Sequence, residues 1–479
     1  MVFNSLSFMF FLPTVFFLYW FVFNKSLRLQ NSLILISSYF FYGWWDWRFL
    51  SLIFLSTIVD YFIGLKIYDS SDKKGKKSYL WISILFNLSL LGFFKYFNFF
   101  IDSWIDLVGT LGYEHQSKWT LNVILPIGIS FYTFQTMSYS LDIYYGKLKP
   151  TKDFISFASF VSFFPQLVAG PIEKARDLLP QFFIKREFIY KTVVDGLRQI
   201  LWGFVKKILI ADQCSETVNI IFNNSYNYQG STLLLGAFLF SFQIYGDFSG
   251  YSDIAIGTAR LFGFNLKKNF SYPYFSRDIG EFWRRWHISL SMWFRDYLYI
   301  PLGGSKGSKW LSIRNIFIIF LVSSFWHGAN WTFIMWGLIH ALLYIPLFLR
   351  GKNKRYLTTV VSENRYLPTI KELSQMVRTF FFTMIAWVFF RSESVNHAFM
   401  ILSNIFSKSI LNKPEIIPHI TILFIIIFMI IEWFGKNSDF GISSIVFFKK
   451  KIRWGFYFIL CFLIFILISE KTEFIYFQF

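Results

Sequence analysis

His327 lies in Ser323-Ser324-Phe325-Trp326-His327-Gly328-Ala329-Asn330-Trp331, inside an almost uninterrupted apolar stretch from Ile313 to Leu349. Burying a polar group in hydrocarbon costs several kcal/mol unless it is satisfied, so a titratable ring at that depth needs a partner or a task. His287 stands 40 residues earlier, in Arg284-Arg285-Trp286-His287-Ile288-Ser289-Leu290-Ser291, and meets His327 only through the fold. A neutral imidazole can take a proton from a hydroxyl nucleophile near working pH. Acyl transfer from a thioester to an alcohol needs that base, together with donors toward the carbonyl oxygen as charge develops. His287, Asn330 or a backbone amide are candidates for that second duty. On one continuous helix His340 would sit about 20 Å beyond His327 and point about 140° away. It joins the centre only if the helix breaks at Gly328 or Gly337. The plain alternative is histidines that hydrogen-bond neighbouring helices for packing.

Other chemistries lose support. The chain has no His-Glu-x-x-His pair for zinc, no phosphate loop (Gly303 to Lys309 misses the spacing), and no Gly-x-Ser-x-Gly elbow around Ser249. Two cysteines, Cys214 and Cys461, are too few for a disulfide framework or a cysteine zinc site. No metal and no bound cofactor is expected.

The elements that must position these residues are helical. At 100° per residue a helix over Gly280 to Ile300 carries Arg284, His287, Ser291 and Arg295 on one face. Trp283, Trp286, Leu290, Trp293 and Tyr297 gather on another, and Pro301-Leu302-Gly303-Gly304 ends the helix. Arginines anchored at an interface account for part of that face but give no reason for His287. Phe164-Pro165-Gln166-Leu167-Val168-Ala169-Gly170-Pro171-Ile172 breaks a helix. Lys174 to Lys191 reads as a helix lying at the interface. Tyr245-Gly246-Asp247-Phe248-Ser249-Gly250-Tyr251-Ser252-Asp253 sets two carboxylates and two glycines at the end of an apolar run. They either organise a polar cavity or cap and link helices.

The whole chain fits that picture: 55% of its 479 residues are hydrophobic and 23% aromatic. Runs long enough to span a bilayer recur from 8–23 to 454–469, predicting an all-α polytopic membrane protein of about eleven transmembrane or re-entrant helices. The first run, with no cation ahead of it and no small-residue cleavage site behind it, reads as a retained helix. The net charge of +19 comes largely from short loops, so membrane orientation explains it better than nucleic acid. Lys25 and Arg28, Lys66 to Lys77, and Lys147 to Lys152 make every second loop basic, while Ile101 to Trp119 is a non-basic loop. By the positive-inside rule this places the amino terminus outside; Arg350 to Arg355 and Lys449 to Arg453 place the carboxyl terminus outside too. A single membrane domain spans 1–479, with polar content concentrated from Pro165 to His340.

These motifs, with Arg295-Asp296-Tyr297-Leu298-Tyr299-Ile300-Pro301-Leu302-Gly303-Gly304, resemble the membrane-bound O-acyltransferase superfamily over about residues 120 to 345. Within it they are most similar to inner-membrane alginate O-acetyltransferases of bacteria. The resemblance implies a helical bundle around a funnel, with His327 as the main catalytic residue and His287 as its partner. It also implies an acyl donor on the cytoplasmic side, expected to be acetyl-CoA, and an acceptor polysaccharide reached from the periplasm. A periplasmic acetyltransferase- or esterase-like partner often completes the transfer. Arg284, Arg285 and Arg295, with Ser291 and Asn330, are candidate substrate contacts. Acetylation of peptidoglycan or D-alanylation of teichoic acid are variants. A polysaccharide transporter is the non-enzymatic alternative, although such proteins commonly show internal repeats and this chain shows none.

Overall fold

The computed structural model describes residues 1–112, 121, 124–468 and 474–475. Residues 113–119 of the expected non-basic loop lie outside that set. So do positions 120, 122 and 123 of the run at 120–141 and position 469 of the last run. Among the described residues the secondary structure is helical, without strands. Six helical stretches there are long and apolar enough to cross a membrane: Leu27–Asp69, Lys73–Thr110, Gly230–Leu261, Lys309–His327, Trp331–Leu349 and Ile370–Arg391. Shorter apolar helices cover Leu6–Val22, Phe154–Leu167 and His419–Gly435. The chain is a multi-pass, all-α membrane protein. It divides into two compact units, Met1–Ile189 with Phe262–Leu266, and Tyr190–Leu261 with Lys267–Phe479.

The first unit is pinned by polar groups that its apolar helices cannot leave unsatisfied. Asp60, on Leu50–Asp69, accepts from Ser83 Oγ at 2.5 Å, Asn87 Nδ2 at 2.7 Å and Ser140 Oγ at 2.9 Å, tying three helices together. In hydrocarbon such bonds hold helices because no water competes for the groups. Asn31 likewise donates to the Phe182 carbonyl at 2.9 Å and accepts from Arg186 Nη2. Two sequence expectations change here. Helix Phe97–Thr110 runs through the first half of the stretch read as a loop from Ile101. Lys174 to Lys191 is not one interfacial helix: Ala175–Leu178 makes a single turn and Leu179–Phe183 a 3₁₀ turn, and the next helix begins at Tyr190. Pro180 lacks the N–H an α-helix would use, and Lys174, Leu178 and Phe182 are buried.

In the second unit the motif from Tyr245 to Asp253 is not at the end of its run but in the middle of the 32-residue helix Gly230–Leu261. Its glycines allow close packing: a Cβ on Gly203 would lie 2.6 Å from the Gly250 carbonyl oxygen, so backbones touch where side chains would separate them. The Ile313 to Leu349 stretch folds as a hairpin, Lys309–His327 against Trp331–Leu349. The helix expected over Gly280 to Ile300 is broken into Ile279–Arg285, Ile288–Phe294 and a π-turn Arg295–Tyr299. At the break His287 takes φ 44°, the left-handed region. Neighbouring backbone imposes it: Ser271 N donates to the Arg285 carbonyl and Ile288 N to the Asn269 carbonyl, each at 2.9 Å, in place of bonds along the helix.

Candidate active site

His327 ends its helix because the next residues cannot continue it. Gly328 is extended, and a Cβ there would lie 2.1 Å from the Phe333 ring. Asn330 then starts the returning helix, accepting from Thr332 N at 3.0 Å while donating to the Glu393 carbonyl at 3.1 Å.

The fold brings the two predicted histidines together. Their ring centres are 5.7 Å apart with planes inclined at 55°. His287 is fully buried and His327 is 2% exposed. Aromatic rings close the surroundings: Phe248 stands edge-on to His287 at 4.6 Å, Trp336 at right angles to His327 at 5.3 Å, and Trp326 touches both. Among the described residues neither ring nitrogen of His287 has a hydrogen-bond partner. Both are therefore available to a molecule that enters, and their desolvation strengthens any bond formed there.

The break at Gly328 also decides His340. The returning helix lies back against the first, so Trp336 packs on His327, and His340, one turn further along the same helix, lies 5.0 Å from that ring. His340 Nδ1 accepts from Trp283 Nε1 at 3.3 Å, which leaves the proton of the neutral ring on Nε2. Trp336, which links the two histidines, was not singled out in the sequence; it is one of 18 tryptophans and its spacing carries no signal.

The remaining candidates already carry structural bonds. Arg284 donates to the carbonyls of Asn353 at 2.8 Å and Tyr356 at 3.4 Å. Arg285 pairs with buried Glu281 at 2.9 Å and donates to the Ser271 carbonyl. Arg295 is exposed and paired with Asp296 at 2.9 Å; Ser291 Oγ lies 3.5 Å from the Trp283 carbonyl. Both carboxylates of the 245–253 motif form buried ion pairs that link helices. Asp253 meets Lys206 at 3.0 Å, and Lys206 also holds Glu432. Asp247 meets Lys207 at 2.8 Å and accepts from Ile475 N at 2.6 Å, with Phe474 packed on Tyr251.

The buried histidine pair lies in an aromatic enclosure, and the comparisons with known proteins bear on the chain as a whole. The family model described as MBOAT, membrane-bound O-acyltransferase family, matches residues 74–348. The chain is 38% identical over 445 residues to the curated relative named Probable alginate O-acetylase AlgI of Pseudomonas aeruginosa, covering 91% of this chain and 82% of that one. It is 36% identical over 433 residues to the Peptidoglycan O-acetyltransferase of Helicobacter pylori, covering 84% and 79%. It is 29% identical over 293 residues to the Teichoic acid D-alanyltransferase of Bacillus subtilis, covering 58% and 71%. With its motifs, its membrane helices and its buried histidines accounted for, the chain belongs to the membrane-bound O-acyltransferase family and is an O-acyltransferase.

Proposed function

We propose that this enzyme moves an acetyl group from acetyl-CoA across the bacterial inner membrane for O-acetylation of an exported polysaccharide such as alginate. The reading rests on the 5.7 Å approach of His287 and His327. His327 takes the hydroxyl proton of the acceptor as its oxygen attacks the thioester carbonyl. His287 donates a hydrogen bond to the oxyanion of the tetrahedral intermediate. Collapse breaks the carbon–sulfur bond, and the imidazolium of His327 returns its proton to the leaving thiolate. The donor approaches from the cytoplasmic side, where the basic loops lie, and both termini are periplasmic. A periplasmic acetyltransferase- or esterase-like partner carries the acetyl group onward to the polymer. Relatives named for alginate and for peptidoglycan both match most of the chain, so peptidoglycan is the second acceptor to test.

The test reconstitutes the full chain in nanodiscs with radiolabelled acetyl-CoA and de-acetylated alginate or peptidoglycan fragments, with and without the periplasmic partner. His327→Ala should lower transfer about 10²- to 10⁴-fold while the protein stays monodisperse. Near-normal transfer by His327→Ala would remove the base from this scheme.

A further inference from the structure

His287 holds a backbone conformation that residues other than glycine seldom adopt, and its ring has no hydrogen bond among the described residues to orient it. Its placement therefore comes from neighbouring backbone and packing. One residue supplies most of the connection. Asn269 is fully buried and uses two of its groups on the residues that follow His287 and a third on a neighbouring helix. Its carbonyl accepts from Ile288 N at 2.9 Å, and its Oδ1 accepts from Ser289 Oγ at 3.0 Å and Ser289 N at 3.4 Å. Its Nδ2 donates to Ser252 Oγ at 3.2 Å. Ser252 lies one helical turn after Phe248 on Gly230–Leu261, and Phe248 is the ring set edge-on against His287. The amide of Asn269 thus ties the strained turn to the helix whose phenylalanine fixes the imidazole plane. The Ser271 N to Arg285 carbonyl bond closes the other flank.

We propose that Asn269 is the positioning residue of the acyl-transfer centre, holding His287 at the angle and distance from His327 that the reaction needs. The inference rests on the proposed role of His287 in transfer. Asn269 touches neither reacting atom; it acts through the turn. A misplacement on the order of 1 Å in a reacting group costs about 10²-fold in rate, so the effect belongs in kcat and not in donor affinity.

The test measures thiol release from acetyl-CoA, with de-acetylated alginate oligomer as acceptor, by the nanodisc-reconstituted full chain. The enzymes are wild type, Asn269→Ala, His287→Ala and the double variant. Asn269→Ala should lower kcat about 10- to 100-fold with the KM for acetyl-CoA unchanged, and should add less than about twofold to the loss caused by His287→Ala. Equal fold-losses in both backgrounds, or an unchanged kcat in folded Asn269→Ala, would overturn the assignment. If Asn269→Ala fails to assemble, Ser252→Ala decides by the same criteria: it cuts only the anchor, and its smaller kcat loss should vanish in the His287→Ala background. Full activity in His287→Ala would instead refute the reading of the site itself, and leave Asn269 nothing to position.

Discussion

His287 and His327 face each other across 5.7 Å, one from a strained turn between two short helices and the other from the last turn of a long one. If one transition state uses both rings, removing either forfeits most of what the pair supplies. The double replacement by Ala should therefore transfer acetyl groups at nearly the rate of His327→Ala alone. Multiplicative losses in the same assay would separate the two roles.

Arg284 is held by two backbone carbonyls in the 350–369 connection, at Asn353 and Tyr356. Arg284→Ala should leave the KM for acetyl-CoA within about twofold of wild type and expose residues 350–369 to faster hydrogen exchange and proteolysis, since those carbonyls lose a charge-assisted donor. A severalfold rise in KM without loosening of the loop would return Arg284 to phosphate binding.

Gly337 is where the histidine hairpin closes. An added Cβ would lie 1.9 Å from Ser324 Oγ and 2.8 Å from the Phe320 carbonyl oxygen. Gly337→Ala should destabilise the enzyme by about 1 to 3 kcal/mol and lower activity by shifting His327 and His340. Adding Ser324→Ala should recover part of the loss in a thermal melt in detergent. No recovery would mean that the Phe320 backbone, and not the hydroxyl, is the obstacle.

His397, outside the candidate membrane spans, meets Ser225 Oγ through Nε2 at 2.7 Å and accepts from Glu393 N through Nδ1. Burial first, and then the nearby Arg391 charge, hold its pKa below the ordinary 6.5, while Glu393 opposes them. The unfolded chain therefore binds the proton more readily than the folded one. Stability should fall as pH drops below about 6.5 toward the folded-state pKa, and be constant above it as far as this residue is concerned. His397→Gln should flatten that part of the melting temperature against pH; an unchanged slope would assign the acid sensitivity elsewhere.

Much of this was legible in the residues. Apolar runs of bilayer length announce membrane helices because the period and length of burial are local properties. His327 and His287 stood out because titratable rings rarely sit in such surroundings without reason. The helix that carries Pro165 ends at Leu167, before the glycine and second proline read as its breakers; whether the chain breaks at Gly328 the residues left open. Tertiary structure decided the rest. The 280–300 segment has an acceptable helical pattern, and its break at His287 is imposed by Asn269 and Ser271, whose bonds outweigh the local preference. His340 nears the centre only because the hairpin lays Trp336, four residues before it on the same helix, against His327. Arg284, Arg285 and Asn330 looked free to meet a substrate, yet carbonyls and a carboxylate distant in sequence hold them. Sequence pattern reports what a residue's near neighbours prefer; which distant backbone group satisfies a buried polar atom is settled only when the helices pack, since only then do such groups come within reach.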